Sequence, residues 1–423
     1  MSVETLALIA LFVLGFGAIS GRLEKSPITP PMAFVAFGLL LSPQILGWLD
    51  VNFTSELVKL LCEITLTLVL FTDASRIDLK LLRQDYQLPL RLLGIGLPLT
   101  ILFGTILALV LFPGELNLWE AAVLGTILAP TDAALGQAVV SNPRVPPCIR
   151  QSLNVESGLN DGICLPILLV FLSLAGMADE SQNINTWLQF GAMQVLLGPV
   201  VGVAVGYIGG WLVEKSSRHG WITHAFKDLS VLGLSLLAYT LAELVGGNGF
   251  IAAFCAGLTL GNTARSICNC LYEFGEAEGQ LLVLLVFMAY GTSVVFPALS
   301  QTNGSIVGSV LGSLLVARSI GVLLSGIGLK LRWDTAIFLG WFGPRGIASL
   351  LYALLVVEEQ HLPGQSLIFT TTIVTVLVSV FAHGLSAFPG ANWYGNRMMS
   401  EIDRTLPELK PVKTMRVRLP WKA

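Results

Sequence analysis

The chain has 423 residues, of which 54% are hydrophobic and only 12% are charged, and its formal net charge is −3. An ordinary soluble domain carries about 25% charged residues, so the composition excludes a typical soluble protein and indicates many membrane-spanning helices. The sequence has no nucleotide-binding Walker motif and no dinucleotide fingerprint, which argues against ATP-driven transport. We expect no cofactor and no nucleic acid partner.

The apolar segments predict an all-α polytopic membrane protein. A spanning helix needs about 20 predominantly apolar residues, within a range of about 17–25. By this measure the sequence predicts about thirteen spans. Their approximate limits are 3–20, 28–46, 57–74, 90–112, 118–140, 150–175, 188–213, 228–246, 248–264, 279–299, 305–329, 335–357 and 366–388.

Two of these spans are interrupted at related positions. Span 5 breaks at Pro130, and span 12 breaks at Gly343-Pro344-Arg345-Gly346. The two spans are seven apart, an odd number, so they cross the membrane in opposite directions. Interrupted helices in corresponding positions of two halves are the best sequence indication of a transporter's binding site. The pattern predicts inverted-topology repeats in which the two broken helices cross.

The repeats define the predicted domain organisation. A transmembrane transporter domain covers residues 1–389. Within it, residues 3–175 and 228–388 form the two repeats, and a linker helix covers 188–213. A short basic tail, 390–423, follows.

The distribution of basic residues predicts the orientation. With the N-terminus outside, most of the 24 lysines and arginines fall in inward-facing loops or in the C-terminal tail, whereas the outward-facing loops carry acidic residues. Cytoplasmic loops of membrane proteins carry this excess of positive charge. We therefore expect a multi-pass protein of the cell (plasma or inner) membrane with its C-terminus in the cytoplasm.

The break in span 5 offers oxygen atoms to a cation. Pro130 has no N–H, so a backbone carbonyl one turn earlier loses its helical partner. Thr131 adds a hydroxyl and a carbonyl. Asp132 adds a negative charge that can ligate a cation or can neutralise the positive end of a half-helix, and the sequence leaves both roles open.

Span 6 carries two polar pairs at helical spacing. Ser157 and Asp161 are four residues apart and share one face of a helix, whereas Glu156 and Asn160 share the adjacent face. An aspartate at the centre of a membrane helix costs about 2.5–3.5 kcal/mol on insertion scales, so such a residue is expected to have a function. We predict that Asp161 is the exchanging carboxylate, because burial favours its neutralisation by either a proton or a cation.

The remaining membrane charges need partners. Arg345 lies beside the break of span 12, and a buried guanidinium needs an anionic partner. The prediction is that Glu156 pairs with Arg345, with Arg318 of span 11 as the competing cation. Asp73, at the inner end of span 3, either lines a cytoplasmic funnel that attracts cations or is a polar helix-end residue facing water.

Three segments resemble the NhaP/NHE-type sodium/proton antiporters of the monovalent cation:proton antiporter family. They are Ala129-Pro130-Thr131-Asp132, Glu156-Ser157-Gly158-Leu159-Asn160-Asp161-Gly162 and Trp341-Phe342-Gly343-Pro344-Arg345-Gly346. The resemblance implies a homodimer in which a core domain moves against a dimerisation domain.

The resemblance also implies roles for individual residues. Asp161, Ser157 and Thr131 would bind the transported cation, while Asn160 and Asp132 would organise the crossing of the broken helices. The adjacent Asn160-Asp161 pair, in place of two aspartates, implies electroneutral one-for-one exchange.

The predicted function is secondary antiport of Na⁺ (or Li⁺) for H⁺, with both ions competing for Asp161 and a role in pH homeostasis. The alternative within this class is antiport of K⁺ or another monovalent cation. An intramembrane aspartyl protease would also need membrane aspartates, but the sequence lacks a Gly-x-Gly-Asp signature. The chain is therefore expected to be a transporter whose partners are monovalent cations, protons, the lipid bilayer and a second copy of itself.

Overall fold

The computed structural model describes the whole chain except residues 1–2, 24–25, 50, 52, 54, 86, 133–134, 177–183, 359–361, 402–405 and 410–423, and it leaves out the side chains of 83–85, 184–192, 265–277 and 358. The regular structure of the described residues is entirely helical. In chain order the helices are α1 (Val3–Leu23), α2 (Pro30–Leu41), α3 (Glu56–Ser75), α4 (Leu79–Asp85), α5 (Gln87–Leu111), α6 (Leu118–Ile127), α7 (Gln137–Val140), α8 (Pro147–Gly176), α9 (Ile184–Arg218), α10 (His224–Leu244), α11 (Gly249–Thr263), α12 (Arg265–Ser293), α13 (Val295–Ser300), α14 (Gly304–Ser325), α15 (Trp333–Trp341), α16 (Ile347–Glu358) and α17 (Gln365–Met399), followed by a 3₁₀ turn at Pro407–Leu409.

The all-helical prediction is confirmed. Among the described residues, seven helices are long and apolar enough to cross a membrane, and several shorter apolar helices pack among them. The number of thirteen spans stays a prediction. The boundary predicted between spans 8 and 9 is a turn, because α10 ends at Leu244, Gly246 has a φ of +80°, and Asn248 caps the start of α11.

The C-terminal boundary differs from the prediction. Helix α17 continues to Met399, so the first part of the predicted tail is helical. The continuous apolar stretch ends near residue 388, but the mixed segment 389–399 continues the helix and buries Ala391, Tyr394 and Met398. Residues 410–423 of the predicted basic tail lie outside the described residues.

Both predicted breaks are present. Helix α6 ends at Ile127 and the short helix α7 begins at Gln137, while α15 ends at Trp341 and α16 begins at Ile347. Each pair of half-helices corresponds to one predicted span. The freed backbone groups at the two breaks therefore need partners from elsewhere in the fold.

Close helix packing fixes α11 against α3. Gly257 lies against the backbone of Phe71, and Gly261 lies against the backbone of Ser75, so that a Cβ atom at either glycine would collide with a carbonyl oxygen of α3. The absence of side chains at these two positions lets the two backbones approach directly, as is common between membrane helices.

Within the part of the chain that the structure describes, two helices contain a π-helical segment. The first, Leu92–Gly96, lies in α5, and the second, Gly312–Ala317, lies in α14. These helices pack against each other, and each precedes an interrupted span. Arg318 directly follows the second segment.

An ionic cluster around two buried carboxylates lies at the start of α15. Asp334 is fully buried, and its carboxylate accepts hydrogen bonds from Arg332 (2.8 and 3.0 Å) and forms an ion pair with Arg397 (2.9 Å). Glu408, from the 3₁₀ turn, accepts hydrogen bonds from the backbone N–H of Arg332 (2.8 Å) and from the hydroxyl of Thr335 (3.0 Å). The hydrogen bond from Arg332 is the main reason why the pKa of Asp334 lies below its ordinary value.

Candidate ion-binding site

The two helix breaks contact each other directly. The backbone N–H of Asp132 donates to the carbonyl of Pro344 (2.8 Å), and the Asp132 carboxylate accepts a hydrogen bond from the backbone N–H of Ile347 (3.1 Å). Gly346 leaves room for this carboxylate, which a Cβ there would strike. Because Ile347 begins α16, the negative charge of Asp132 lies at the positive end of that helix.

Arg345 crosses from the second break to the first. Its guanidinium is fully buried and donates to the carbonyls of Ala129 and Pro130, the latter at 3.0 Å. Its backbone N–H donates to the hydroxyl of Ser379 (2.6 Å). The negative end of α6 attracts a cation, and Arg345 supplies that charge from the opposite half of the chain.

The predicted pairing of Glu156 with Arg345 is wrong. Glu156 forms a bidentate ion pair with Arg318, at 2.8 and 3.1 Å, and Arg318 also donates to the carbonyl of Leu339 (3.2 Å). The error has a physical cause. Carbonyls freed at the first break accept hydrogen bonds from Nη1 of Arg345 in place of a carboxylate, and the competing cation Arg318 pairs with Glu156.

The neutral oxygen ligands proposed from the sequence lie together. The hydroxyls of Thr131 and Ser157 are 3.0 Å apart, and the side-chain amide of Asn160 donates to the Thr131 hydroxyl at 2.6 Å. All three side chains are buried. The carbonyl oxygen of the Asn160 side chain has no hydrogen-bond partner within the described part of the chain, so it remains available to accept one.

Asp161 lies one turn along α8 from Ser157, and only 7% of its surface is exposed. Residues four apart on a helix have Cβ atoms about 5–6 Å apart, which places a carboxylate beside the Thr131–Ser157 hydroxyl pair. Carboxylate and hydroxyl oxygens suit hard cations such as Na⁺. A carboxylate can instead take a proton, so the arrangement can hold either ion.

Asp73 lies close to the same helix. It is buried in α3, and its backbone and Cβ atoms lie about 4 Å from the position that a Cβ at Gly158 would take. This burial disagrees with the reading of Asp73 as a residue facing water at a helix end. Its role in a cytoplasmic funnel stays a prediction.

Three hydroxyl groups around the crossing were not among the predicted site residues. The hydroxyl of Tyr352 donates to the backbone carbonyl of Asp161 (2.5 Å), the hydroxyl of Ser349 donates to the carbonyl of Ile127 (2.7 Å), and Ser379 receives the N–H of Arg345. The sequence contained one indication of two of these hydroxyl groups. Ser349 and Tyr352 are polar residues three apart in a helix that is otherwise apolar up to Val357, and this is the spacing of one helical face.

An all-helical membrane protein in which two interrupted helices cross beside a buried carboxylate has the architecture of a secondary ion transporter. The profile of the family described as "Sodium/hydrogen exchanger, transmembrane" matches residues 7–393. The chain belongs to this family. It is thus a cation/proton antiporter of the NhaP/NHE type, and it is a transporter rather than an enzyme.

Relatives of the chain carry both K⁺ and Na⁺ in their names. The K⁺/H⁺ antiporter NhaP of Alkalimonas amylolytica is 26% identical, with 96% of this chain and 70% of the relative covered. The K⁺/H⁺ antiporter NhaP2 of Shewanella sp. (strain MR-4) is 26% identical over 84% of this chain, which spans only 61% of that relative. The probable Na⁺/H⁺ antiporter 2 of Methanocaldococcus jannaschii is 25% identical, with 89% and 94% covered.

A solved structure shares the fold. The sodium proton antiporter MjNhaP1 of Methanocaldococcus jannaschii at pH 8 superposes with a TM-score of 0.77 at 21% identity, covering 94% of this chain and 99% of that chain. The predicted antiporter fold is thereby confirmed.

Proposed function

We propose that this antiporter exchanges Na⁺ (or Li⁺) for H⁺ one for one, with Asp161 as the carboxylate that holds either ion. The observation that carries the proposal is the contact of the Thr131 hydroxyl with both Ser157 and Asn160, one helical turn from Asp161. Thr131 and Ser157 are neutral ligands, Asp161 supplies the negative charge, and Asn160 and Pro130 shape the site.

The partners of the other acids support one-for-one exchange. Glu156 is neutralised by Arg318, and Asp132 receives the N–H of Ile347 at the positive end of α16. We assign Asp161, beside the Thr131 and Ser157 hydroxyls, as the acid whose charge the incoming ion neutralises. One Na⁺ or one H⁺ neutralises this carboxylate. Because the site moves between the two sides of the membrane only when it is neutral, each turnover transfers no net charge.

Antiport of K⁺ is the second candidate function. The K⁺/H⁺ antiporters of Alkalimonas amylolytica and Shewanella among the relatives favour it. Hydroxyl and carboxylate oxygens ligate both monovalent ions, so the comparison of the two ions belongs in the same transport assay.

The assembly and orientation complete the proposal. The protein works as a homodimer in the cell membrane, with its N-terminus outside and its C-terminus in the cytoplasm, and supports pH homeostasis. The charge distribution of the loops supports the orientation. The π-helical segments of α5 and α14, each in the helix before a broken span, support the two repeats, residues 3–175 and 228–388, joined by the linker 188–213. A reporter fused to the C-terminus that reads as external would contradict the orientation.

Transport by purified protein in liposomes with an internal pH-sensitive dye tests the function. Na⁺, Li⁺ and K⁺ are added in turn, with and without a clamped membrane potential. We expect Na⁺ and Li⁺ to drive proton movement that is independent of the potential and absent in Asp161→Asn. The control Asp228→Asn makes the same change on α10, away from the site, and should transport normally.

Each outcome bears on one part of the proposal. A response to K⁺ but not to Na⁺ would establish the second candidate. Acceleration by an imposed potential would refute one-for-one exchange. Transport by Asp161→Asn at the wild-type rate would refute the assignment of the exchanging carboxylate.

A further inference from the structure

We propose that Tyr352 is a positioning residue for ion binding, which together with Ser349 holds the helix of Asp161 at a fixed distance from the broken end of α6. Neither residue needs to touch the ion. The inference rests on the proposed role of Asp161, and it adds the residues that fix the spacing of its ligands.

The first contact is at the end of α6. Ile127 is the last residue of that helix, so its carbonyl lies among those that lack a partner within the helix. The hydroxyl of Ser349, itself fully buried, donates to this carbonyl at 2.7 Å. The chain continues from here into the break that carries Thr131, so this contact anchors one side of the site.

The second contact is on α8. The fully buried hydroxyl of Tyr352 donates to the backbone carbonyl of Asp161 at 2.5 Å. A phenol has one hydrogen to donate, and here it holds the backbone of the residue whose side chain exchanges ions. Tyr352 therefore acts on the site through Asp161.

Helix α8 needs such an anchor at this point. Pro166 lies inside it, five residues after Asp161. Proline lacks the N–H that would bond to the carbonyl of Gly162, and its ring disturbs the preceding turn. The backbone next to Asp161 is therefore held by fewer helical hydrogen bonds, and an external donor has more influence on its position.

The two contacts come from one face of one helix. Ser349 and Tyr352 are three residues apart on α16, and α16 begins just after the second break. The rigid backbone of α16 thus links the broken end of α6 to α8. The end of α6 leads to Thr131, and α8 carries Ser157 and Asp161. Binding groups must be held within about 0.5 Å of their productive positions, and this double contact constrains that spacing.

The test compares two buried tyrosines. Tyr352→Phe removes the hydroxyl at the site. Tyr290→Phe is the matched control, because Tyr290 is also fully buried and its hydroxyl donates to a backbone carbonyl, that of Ile373, at 2.7 Å. Both variants are reconstituted at equal protein content, and the KM and maximal rate are measured for the cation that drives wild-type exchange.

We expect Tyr352→Phe to raise the KM about threefold to tenfold, the change that loss of one neutral hydrogen bond produces, with a maximal rate close to wild type. Tyr290→Phe should keep its KM within about twofold. An unchanged KM in Tyr352→Phe, or equal losses of maximal rate in both variants, would overturn the inference by assigning the tyrosine to folding alone.

Ser349→Ala provides a second, smaller perturbation and decides the case if Tyr352→Phe does not fold. We expect its KM to rise at least about twofold, and a wild-type KM would overturn the inference. The proposed function fails separately. If Asp161→Asn transports like wild type, the exchanging carboxylate is wrong regardless of the tyrosine result.

Discussion

The buried ion pair between Glu156 and Arg318 gives the sharpest test of the site's architecture. Both side chains are about 4% exposed, and two hydrogen bonds of 2.8 and 3.1 Å join them. Arg318→Met keeps a long side chain but removes the charge, which leaves the Glu156 carboxylate buried without its partner.

The structure sets the loss of stability expected in these variants. Hydrogen bonds to charged groups contribute about 1.5–3 kcal/mol each, and removing one partner of a buried pair costs about 3–5 kcal/mol. We therefore expect Arg318→Met and Glu156→Gln each to reduce the yield of folded protein and to lower its melting temperature. The double variant Glu156→Gln/Arg318→Met removes both charges of the pair and leaves neither of them buried without its partner, so it should melt above Arg318→Met.

The assay is size-exclusion chromatography of detergent-purified protein after heating, which reports monodisperse yield and melting temperature together. The order of the three variants decides the question. A double variant whose loss equals the sum of the two single losses would refute the ion-pair reasoning, as would an Arg318→Met protein with wild-type yield and stability.

Three further predictions concern packing, ligands and pH. Gly257→Ala should destabilise the protein by about 1–3 kcal/mol through collision with α3, whereas Gly233→Ala, whose Cβ would meet nothing within 4 Å, should not lower the melting temperature. Thr131→Val, which removes the hydroxyl while keeping the shape, should raise the cation KM in the liposome assay more than it lowers the maximal rate, and an unchanged KM would remove Thr131 from the site. The hydrogen bond from Arg332 lowers the pKa of Asp334, so the contribution of Asp334 to stability is full at neutral pH and is lost as the pH falls through that lowered pKa. Melting curves of Asp334→Asn should lack this acid-dependent loss. Equal acid dependence in the wild type and the variant would contradict the prediction.

The sequence was sufficient to predict features that depend on local chemistry. Long apolar segments predicted the helices, and Pro130 and Gly343–Gly346 predicted the two breaks. The helical spacing of Ser157 and Asp161 predicted a shared face, since four residues make about one turn. These predictions need no knowledge of how the helices pack.

Features that depend on packing between distant segments were not predictable in the same way. Glu156 had two candidate cations, and the choice depended on which of them found other acceptors. Arg345 found the carbonyls of Ala129 and Pro130, more than 200 residues earlier in the chain. In the sequence, Tyr352 could not be distinguished from other aromatic residues of apolar spans, because its hydrogen-bond acceptor is a backbone carbonyl, which every residue possesses.

The π-helical segment Gly312–Ala317 links the length of α14 to the charge balance of the site. Such a segment accommodates about one residue more than the α-helical turn it replaces, and each residue of an α-helix turns the chain by about 100°. Deleting a single residue between 312 and 317 would therefore restore regular α-helix and leave Arg318 on the face that meets Glu156, whereas deleting one residue from a regular part of the helix would rotate one flank against the other by about 100°. The segment therefore lets α14 carry one additional residue without losing the neutralisation of this carboxylate, and the ion pair depends on residue count in the regular helix on either side of it.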